Sequence, residues 1–455
     1  MSVLINSFQW FIGLGSNVFL PIIIFILGII FGLKPGKALM SGITVGIGSI
    51  GLGLVLNLLS GSLGSAIQDM GNHYGSSLNI LDMGVGVGGP LAFSTSLGLL
   101  MIPISLVVNI LFVFLGLTRT LNVDIWNFWF PIFMGMITQS ITGNFVFGIL
   151  GGTVAVMIQW LLADINQKKN SEFFGYPGIA ISHMMVNSGA IIARPLNWIF
   201  DRIPGLNKID LDAESLTKRF GILGDTVFIG LVIGALVGIF AKYDVSKIGN
   251  LAISTAAVMK IMPKMVAMFM EGLGPIAEAA SDFANNKLGG RQVNIGMDAA
   301  LVVGHSAVMS TSILLVPISL ALALVLPGNQ VLPFGDLAFF AFAIAMMVPF
   351  FKGNVIRTVL GSAIYVVACL YLSTWLAPVM TDVFNLASFD VGTAGLVTML
   401  LAALWPVTLY VLALKYLGIF GVVAIGILVI LIMYYINKIK KISYFQYNIE
   451  YKYKI

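Results

Sequence analysis

The chain has 455 residues, 58% of them hydrophobic and only 9% charged, with 24 Lys and Arg against 19 Asp and Glu. Soluble domains carry about 25% charged residues, so this composition cannot build a water-facing surface, and a polytopic membrane protein is the class that fits. The net charge of +5 does not point to nucleic acid, because the cations lie scattered in short loops instead of forming one basic face.

Apolar runs follow one another from end to end, and about 20 such residues cross a bilayer core. In chain order they are Val18–Leu33, Ala38–Leu59, Leu97–Leu117, Trp126–Ile141, Phe145–Ala163 and Gly221–Ala241 in the first half. Ile248–Met268, Ser312–Leu326, Leu337–Phe351, Val355–Trp375, Gly392–Leu414 and Leu417–Ile436 follow. The runs are apolar all round, which suits helices and not the period-2 alternation of a barrel. Several are short or interrupted by glycine, so the expectation is an all-α polytopic membrane protein with about ten or eleven crossings plus re-entrant pieces. One membrane-embedded domain would then occupy residues 1–455.

Polar residues punctuate these runs. Ser60–Ile80 contains no Lys or Arg and suits the extracytoplasmic face, while Lys34, Lys37, Arg119, Lys168 and Lys169 suit cytoplasmic loops. Residues 200–220 read as a polar connector, with Asp201–Arg219 the most densely charged stretch of the chain. Residues 437–455 form a basic, cytoplasmic tail. The string Gly46-Ile-Gly-Ser-Ile-Gly51 matches a dinucleotide fingerprint. It lies inside an apolar span with no strand before it, however, and reads as a small-residue face for close helix approach. Three histidines and one cysteine leave no disulfide framework and no zinc site of the usual ligand spacing. No metal, cofactor or catalytic residue is therefore assigned.

The chain repeats itself. Gly88-Gly-Pro-Leu-Ala-Phe-Ser-Thr-Ser96 returns 216 residues later as Gly304-His-Ser-Ala-Val-Met-Ser-Thr-Ser312, and at that same offset Asp82 falls on Asp298. Asp124 lies opposite Asp336 at an offset of 212. Repeat halves of roughly residues 38–165 and 249–376 follow. Duplicated halves with glycine- and proline-broken apolar segments in equivalent places are the signature of secondary-type transporters, which hold substrate between the broken helices.

Asp82–Ser96 carries glycines at 84, 86, 88 and 89 followed by Pro90, a run that cannot hold a regular helix for long. It reads as a re-entrant hairpin presenting backbone to a polar substrate, with an extracytoplasmic loop as the competing reading. Asp298–Ser312 is its counterpart. Ionisable residues in apolar runs are costly and default to functional candidates. They are Asp82, His183, Glu271, Asp298 and His305, with Gln139, Asn144 and Asn187 beside them. Asp, His and Gln together offer the donors and acceptors that a neutral polyol or sugar needs.

Several strings resemble one family: Asn122-Val-Asp-Ile-Trp-Asn127, Gly178-Ile-Ala-Ile-Ser-His183, Ile203-Pro-Gly-Leu-Asn207, Thr255-Ala-Ala-Val-Met259, and Leu326-Pro-Gly-Asn-Gln-Val-Leu-Pro-Phe-Gly-Asp-Leu337. The chain resembles the galactitol-type IIC permease subunits of the bacterial phosphoenolpyruvate-dependent phosphotransferase system, relatives of the ascorbate IIC transporters. That resemblance implies a homodimer in the bacterial inner membrane, moving its substrate by an elevator motion of a core that bears the hairpins. It also implies separate IIA and IIB proteins, the latter a phosphocysteine carrier that phosphorylates the imported polyol. The composition agrees on one point. Cys369 is the only cysteine and sits in an apolar run, a poor place for a phosphoryl relay. By resemblance to the ascorbate branch, the substrate would contact Gly88 and Gly89, the helix bearing Gln139, the Gly178–His183 segment, and the second hairpin near His305. Asp82 and Asp298 complete the expected substrate site. The chain departs from the galactitol members at Ser182 and Gln139, where they carry Pro and His, so the resemblance implies a polyol, pentitol or related sugar and not galactitol itself. An ion- or proton-coupled secondary transporter on the same duplicated scaffold is the alternative.

Overall fold

The computed structural model describes residues 16–59, 65, 66, 69, 80–122, 124–206, 226–287, 293–333, 335–387 and 396–439. His73, the connector from residue 207 to 225, the loop at 288–292 and the tail beyond 439 lie outside the described residues.

The chain is mostly helical. Helices α1 (Ser16–Ile30), α2 (Pro35–Leu59), α8 (Thr226–Phe240) and α9 (Val245–Lys287) pack on one another as a layer. At 43 residues, α9 is about 65 Å long at 1.5 Å per residue, twice the ~30 Å of a hydrocarbon core. Small residues let this layer close. A Cβ on Gly51, within the string that mimics a dinucleotide motif, would lie 2.3 Å from the sulfur of Met265, and one on Gly272 would lie 2.8 Å from the backbone of Val45.

The rest of the first half runs β1 (Ile80–Asp82), α3 (Val85–Ser94), α4 (Ser96–Leu115), β2 (Thr120–Asn122), a 3-10 turn (Ile125–Phe128), α5 (Trp129–Thr142), α6 (Phe145–Phe174), β3 (Ile179–Ile181) and α7 (Met184–Phe200). The second half follows a similar order. It comprises β4 (Asn294–Met297), α10 (Ala300–Val303), α11 (Ser306–Val325), β5 (Val331–Leu332), 3-10 turns flanking α12 (Phe340–Ile344), α13 (Val355–Leu386), β6 (Leu396–Thr398), α14 (Trp405–Leu417) and α15 (Ile419–Tyr434). Both long helices α6 and α13 start the same way. Gly143 and Gly353 turn the chain at φ of 65° and 78°, and Asn144 and Asn354 cap the first turn by accepting backbone N–H groups.

Two expectations change. Short strands interrupt the all-α pattern, and the apolar run Leu337–Phe351 is not one crossing but a chain of short helical turns. Pro349 removes a backbone donor there, and Lys352 ends the last turn in the left-handed region. Among the described residues, five helical segments are long and apolar enough to cross a membrane: Ser96–Leu115, Phe145–Phe174, Ser306–Val325, Val355–Leu386 and Ile419–Asn437. Their outer faces are apolar and exposed, as at Val107, Phe114 and Leu431.

The described strands form two three-stranded parallel sheets that interlock the halves. In the first, β1 lies between β5 and β6; in the second, β4 lies between β2 and β3. Each central strand thus comes from one half and both its neighbours from the other. The strands are largely buried, as parallel strands covered on both faces are, and they carry the buried polar residues Asp82, Thr120, Asn122, Asn294 and Thr398. Gly296 in β4 is required by this closeness, since a Cβ there would sit 2.8 Å from the Asn122 Cα.

Candidate functional site

The carboxyl ends of both sheets carry paired acids. Asp82 ends β1, and its Oδ1 accepts the N–H of Gly84 at 3.3 Å and of Leu400 at 3.1 Å, while Oδ2 accepts that of Asp336 at 3.1 Å. Asp336 in turn accepts from Val85 at 2.7 Å and Leu401 at 2.8 Å. Five backbone donors therefore wrap this pair. The turn that brings them in depends on Gly84, whose φ is 73° and whose Cβ position would be 2.2 Å from the Gly335 carbonyl oxygen.

The second sheet repeats the arrangement with fewer donors. Parallel register sets Asn122 across from Gly296, so two residues further on Asp124 faces Asp298. Asp124 accepts the N–H of Trp126 at 3.0 Å and that of Asp298. Asp298 accepts from Ala300 at 3.1 Å through Oδ2. Its Oδ1 is buried and without a partner.

Other unsatisfied groups gather at the same strand ends. β3 leads into Ser182, whose N–H bonds Met297 O at 2.8 Å and whose Oγ is unpartnered. His183 follows, 2% exposed, with Nδ1 unpartnered. Its ring rests on Trp129 and Phe130 at centroid distances of 5.7 and 6.0 Å. Oδ1 of Asn127 is unpartnered as well. Buried polar atoms normally find a partner, and these four, on residues that follow β2, β3 and β4, have none among the described residues.

Of the residues expected in a substrate site, the structure brings four together. Gly88 and Gly89 lie on the indoles of Trp129 and Trp126, where an added Cβ would meet Trp126 at 3.0 Å and the Met399 sulfur at 2.4 Å. Through Trp129 they reach His183, and through Ser182 the cluster reaches Asp298. The other three stand apart. Asp82 belongs to the wrapped pair of the first sheet. Gln139 is ten residues along α5 from Trp129, about 15 Å away, and lines an open cavity of about 320 Å³ with Thr95, Ser96, Phe145 and Leu386. His305 caps α11 by accepting the Ala307 N–H at 3.2 Å, half-buried against Phe173 and Phe174. Glu271 is exposed on α9, and Arg194 is held by Ile165 O and Asn166.

Sequence reasoning aligned Asp124 with Asp336 but did not see that each acid faces a partner from the other half. Ser182, Asn127, Trp126 and Trp129 also went unassigned. The shared offset was the available signal for the acids; for the indoles there was none beyond their place after Asp124.

Comparison with known proteins adds the following. Residues 10–395 match the family described as PTS system sugar-specific permease component, EIIC-GAT. The galactitol-specific EIIC component of Escherichia coli strain K12 is 37% identical over 366 residues, spanning 80% of this chain and 81% of that protein. The corresponding component of Escherichia coli O157:H7 matches to the same extent. A further permease IIC component of strain K12 is 33% identical over 432 residues, covering 94% of this chain and 98% of that protein.

Proposed function

The chain belongs to the sugar-specific permease components of the phosphotransferase system, and from that premise we propose that it binds a polyol of the galactitol type at the ends of β2, β3 and β4. The observation that carries this is the group of buried, unpartnered atoms there: Ser182 Oγ, His183 Nδ1 and Asp298 Oδ1. Each unmade bond costs about 1–3 kcal/mol, which ligand hydroxyls, both donors and acceptors, would recover. The indoles of Trp126 and Trp129 flank the same place, with Gly88 and Gly89 packed closely against them. Asp82 serves from the first sheet by holding the turn at Gly84.

The wider mechanism is part of the same proposal. The breaks at Thr95 and at Gly304-His305 divide α3 from α4 and α10 from α11. They suit paired re-entrant hairpins in duplicated halves, working by an elevator motion in a homodimer of the bacterial cytoplasmic membrane. Gln139 and His305 then stand near its two ends, where an entering or leaving polyol would meet them. Cys369 is buried in α13, so a separate IIB protein, charged by IIA, supplies the phosphoryl group.

Galactitol and a pentitol titrated into the purified protein in nanodiscs test the placing. Asp298→Asn and His183→Ala should each weaken binding about tenfold to a hundredfold, the worth of a hydrogen bond of about 1.5–3 kcal/mol. Wild-type affinity in both variants would move the substrate elsewhere.

A further inference from the structure

The two sheets face one problem, a pair of opposed carboxyls, and answer it differently. At the first, the turn after β6 contributes the N–H groups of Leu400 and Leu401, and both acids are satisfied. At the second, β3 stands in the place of β6, but the chain after it enters α7 at once. Its N–H groups do not reach the acids, and Asp298 keeps a free buried oxygen.

Among the described residues neither Asp124 nor Asp298 forms an ion pair. The titratable groups on the elements packed around them are engaged elsewhere or exposed. β3 and α7 bring His183, which touches Trp129 and Phe130, and Arg194, which is held by Ile165 O and Asn166. Asp164 on α6 is held at the far end of β2 by Thr118, Thr120 and the Arg119 N–H. The long helix α9 packs on β4 and α10 and has Glu271 and Asp282 exposed. α3, α5 and α10 carry no ionisable side chain. Two neighbouring buried carboxylates with no ion pair do not both ionise.

We propose that Asp124 is the second carboxyl of the substrate site, sharing one proton with Asp298, so that the free Oδ1 of Asp298 can either donate to or accept from a polyol hydroxyl. Asp124 is a positioning residue: it does not touch the substrate but sets which form Asp298 presents. The inference rests on the substrate lying at these strand ends.

Binding of galactitol to the full-length protein in nanodiscs, followed across pH, tests it. Once the pair loses its last proton, Asp298 can no longer donate, and affinity falls on the alkaline side. Asp124→Asn removes the neighbouring charge that resists this loss. Its fall-off should therefore move toward acid by about one pH unit or more, while Asp336→Asn in the wrapped pair leaves it in place. An Asp124→Asn profile superimposable on the wild type overturns the inference, as does an equal shift in Asp336→Asn. If Asp124→Asn does not insert, wild-type calorimetry in two buffers of different ionisation enthalpy decides. Galactitol binding should then exchange protons with the buffer, and none exchanged overturns the inference. Should Asp298→Asn bind galactitol normally, the placing of the substrate fails. If Asp298→Asn loses binding while the Asp124→Asn profile stays put, only the shared proton falls.

Discussion

Asp82 and Asp298 occupy matching places 216 residues apart, yet the same substitution should harm the protein in opposite ways. Asp82 accepts three backbone N–H groups, and an asparagine amide keeps only one oxygen to receive them. Its NH₂ must face a donor, leaving at least one buried N–H unsatisfied, so Asp82→Asn should cost about 1.5–3 kcal/mol of stability. Asp298 accepts from the backbone N–H groups of Ala300 and Ala299 in its own turn, and its Oδ1 has no close partner to lose. Asp298→Asn should therefore leave stability within about 1 kcal/mol of wild type and lower galactitol affinity instead. Denaturant unfolding in detergent micelles, read by tryptophan emission, gives the first quantity, and calorimetric titration the second. An Asp82→Asn protein as stable as wild type would refute the saturated-pair reasoning. So would an Asp298→Asn protein destabilised more than Asp82→Asn.

Two further outcomes follow from packing. Trp129 is 2% exposed and touches Phe130, Phe133 and His183, so Trp129→Ala should lower stability by about 3–5 kcal/mol and weaken galactitol binding, as measured by unfolding and titration of the same sample. Gly84→Ala places a Cβ 2.2 Å from the Gly335 oxygen at a φ of 73°, strain of about 1–3 kcal/mol before the clash is counted. It should sharply reduce the monodisperse protein recovered by size exclusion, and a normal yield would show that this turn relaxes.

Much of the design was legible in the residues, and the remainder failed for identifiable reasons. Helical crossings could be read because their apolar runs exceed the bilayer requirement. The repeat could be read because Gly88–Ser96 and Gly304–Ser312 share residues at one offset. The strands could not. At two to four residues each, they are shorter than any window in which alternation can be counted, and they pair across the chain: Ile80 with Val331 and Leu396, Ile295 with Thr120's neighbour Leu121 and with Ile179. Nothing local in the sequence encodes that exchange. The spacing between the expected site residues was hidden for a similar reason. Gln139 and Trp129 share one helix, and only its length separates the cavity at one end from the indole cluster at the other.

The exchange of strands also bears on why the two ends differ. A sheet whose centre comes from one half and whose edges come from the other ties both halves together, so the broken segments that follow β1 and β4 are anchored by the pairings at their base. Only one sheet needs to be closed for that purpose. The wrapped acids of Asp82 and Asp336 close it with five backbone donors, fixing the turn at Gly84 and the segment that carries Gly88 and Gly89. With the body held there, the matching turn after β3 is released from the same duty. It can run straight into α7, leaving Ser182, His183 and Asp298 with bonding capacity that the protein itself does not use. Saturation at one end is thus the condition that lets the other remain unsatisfied, and the loss of stability expected for Asp82→Asn and the loss of affinity expected for Asp298→Asn are two readings of that single asymmetry.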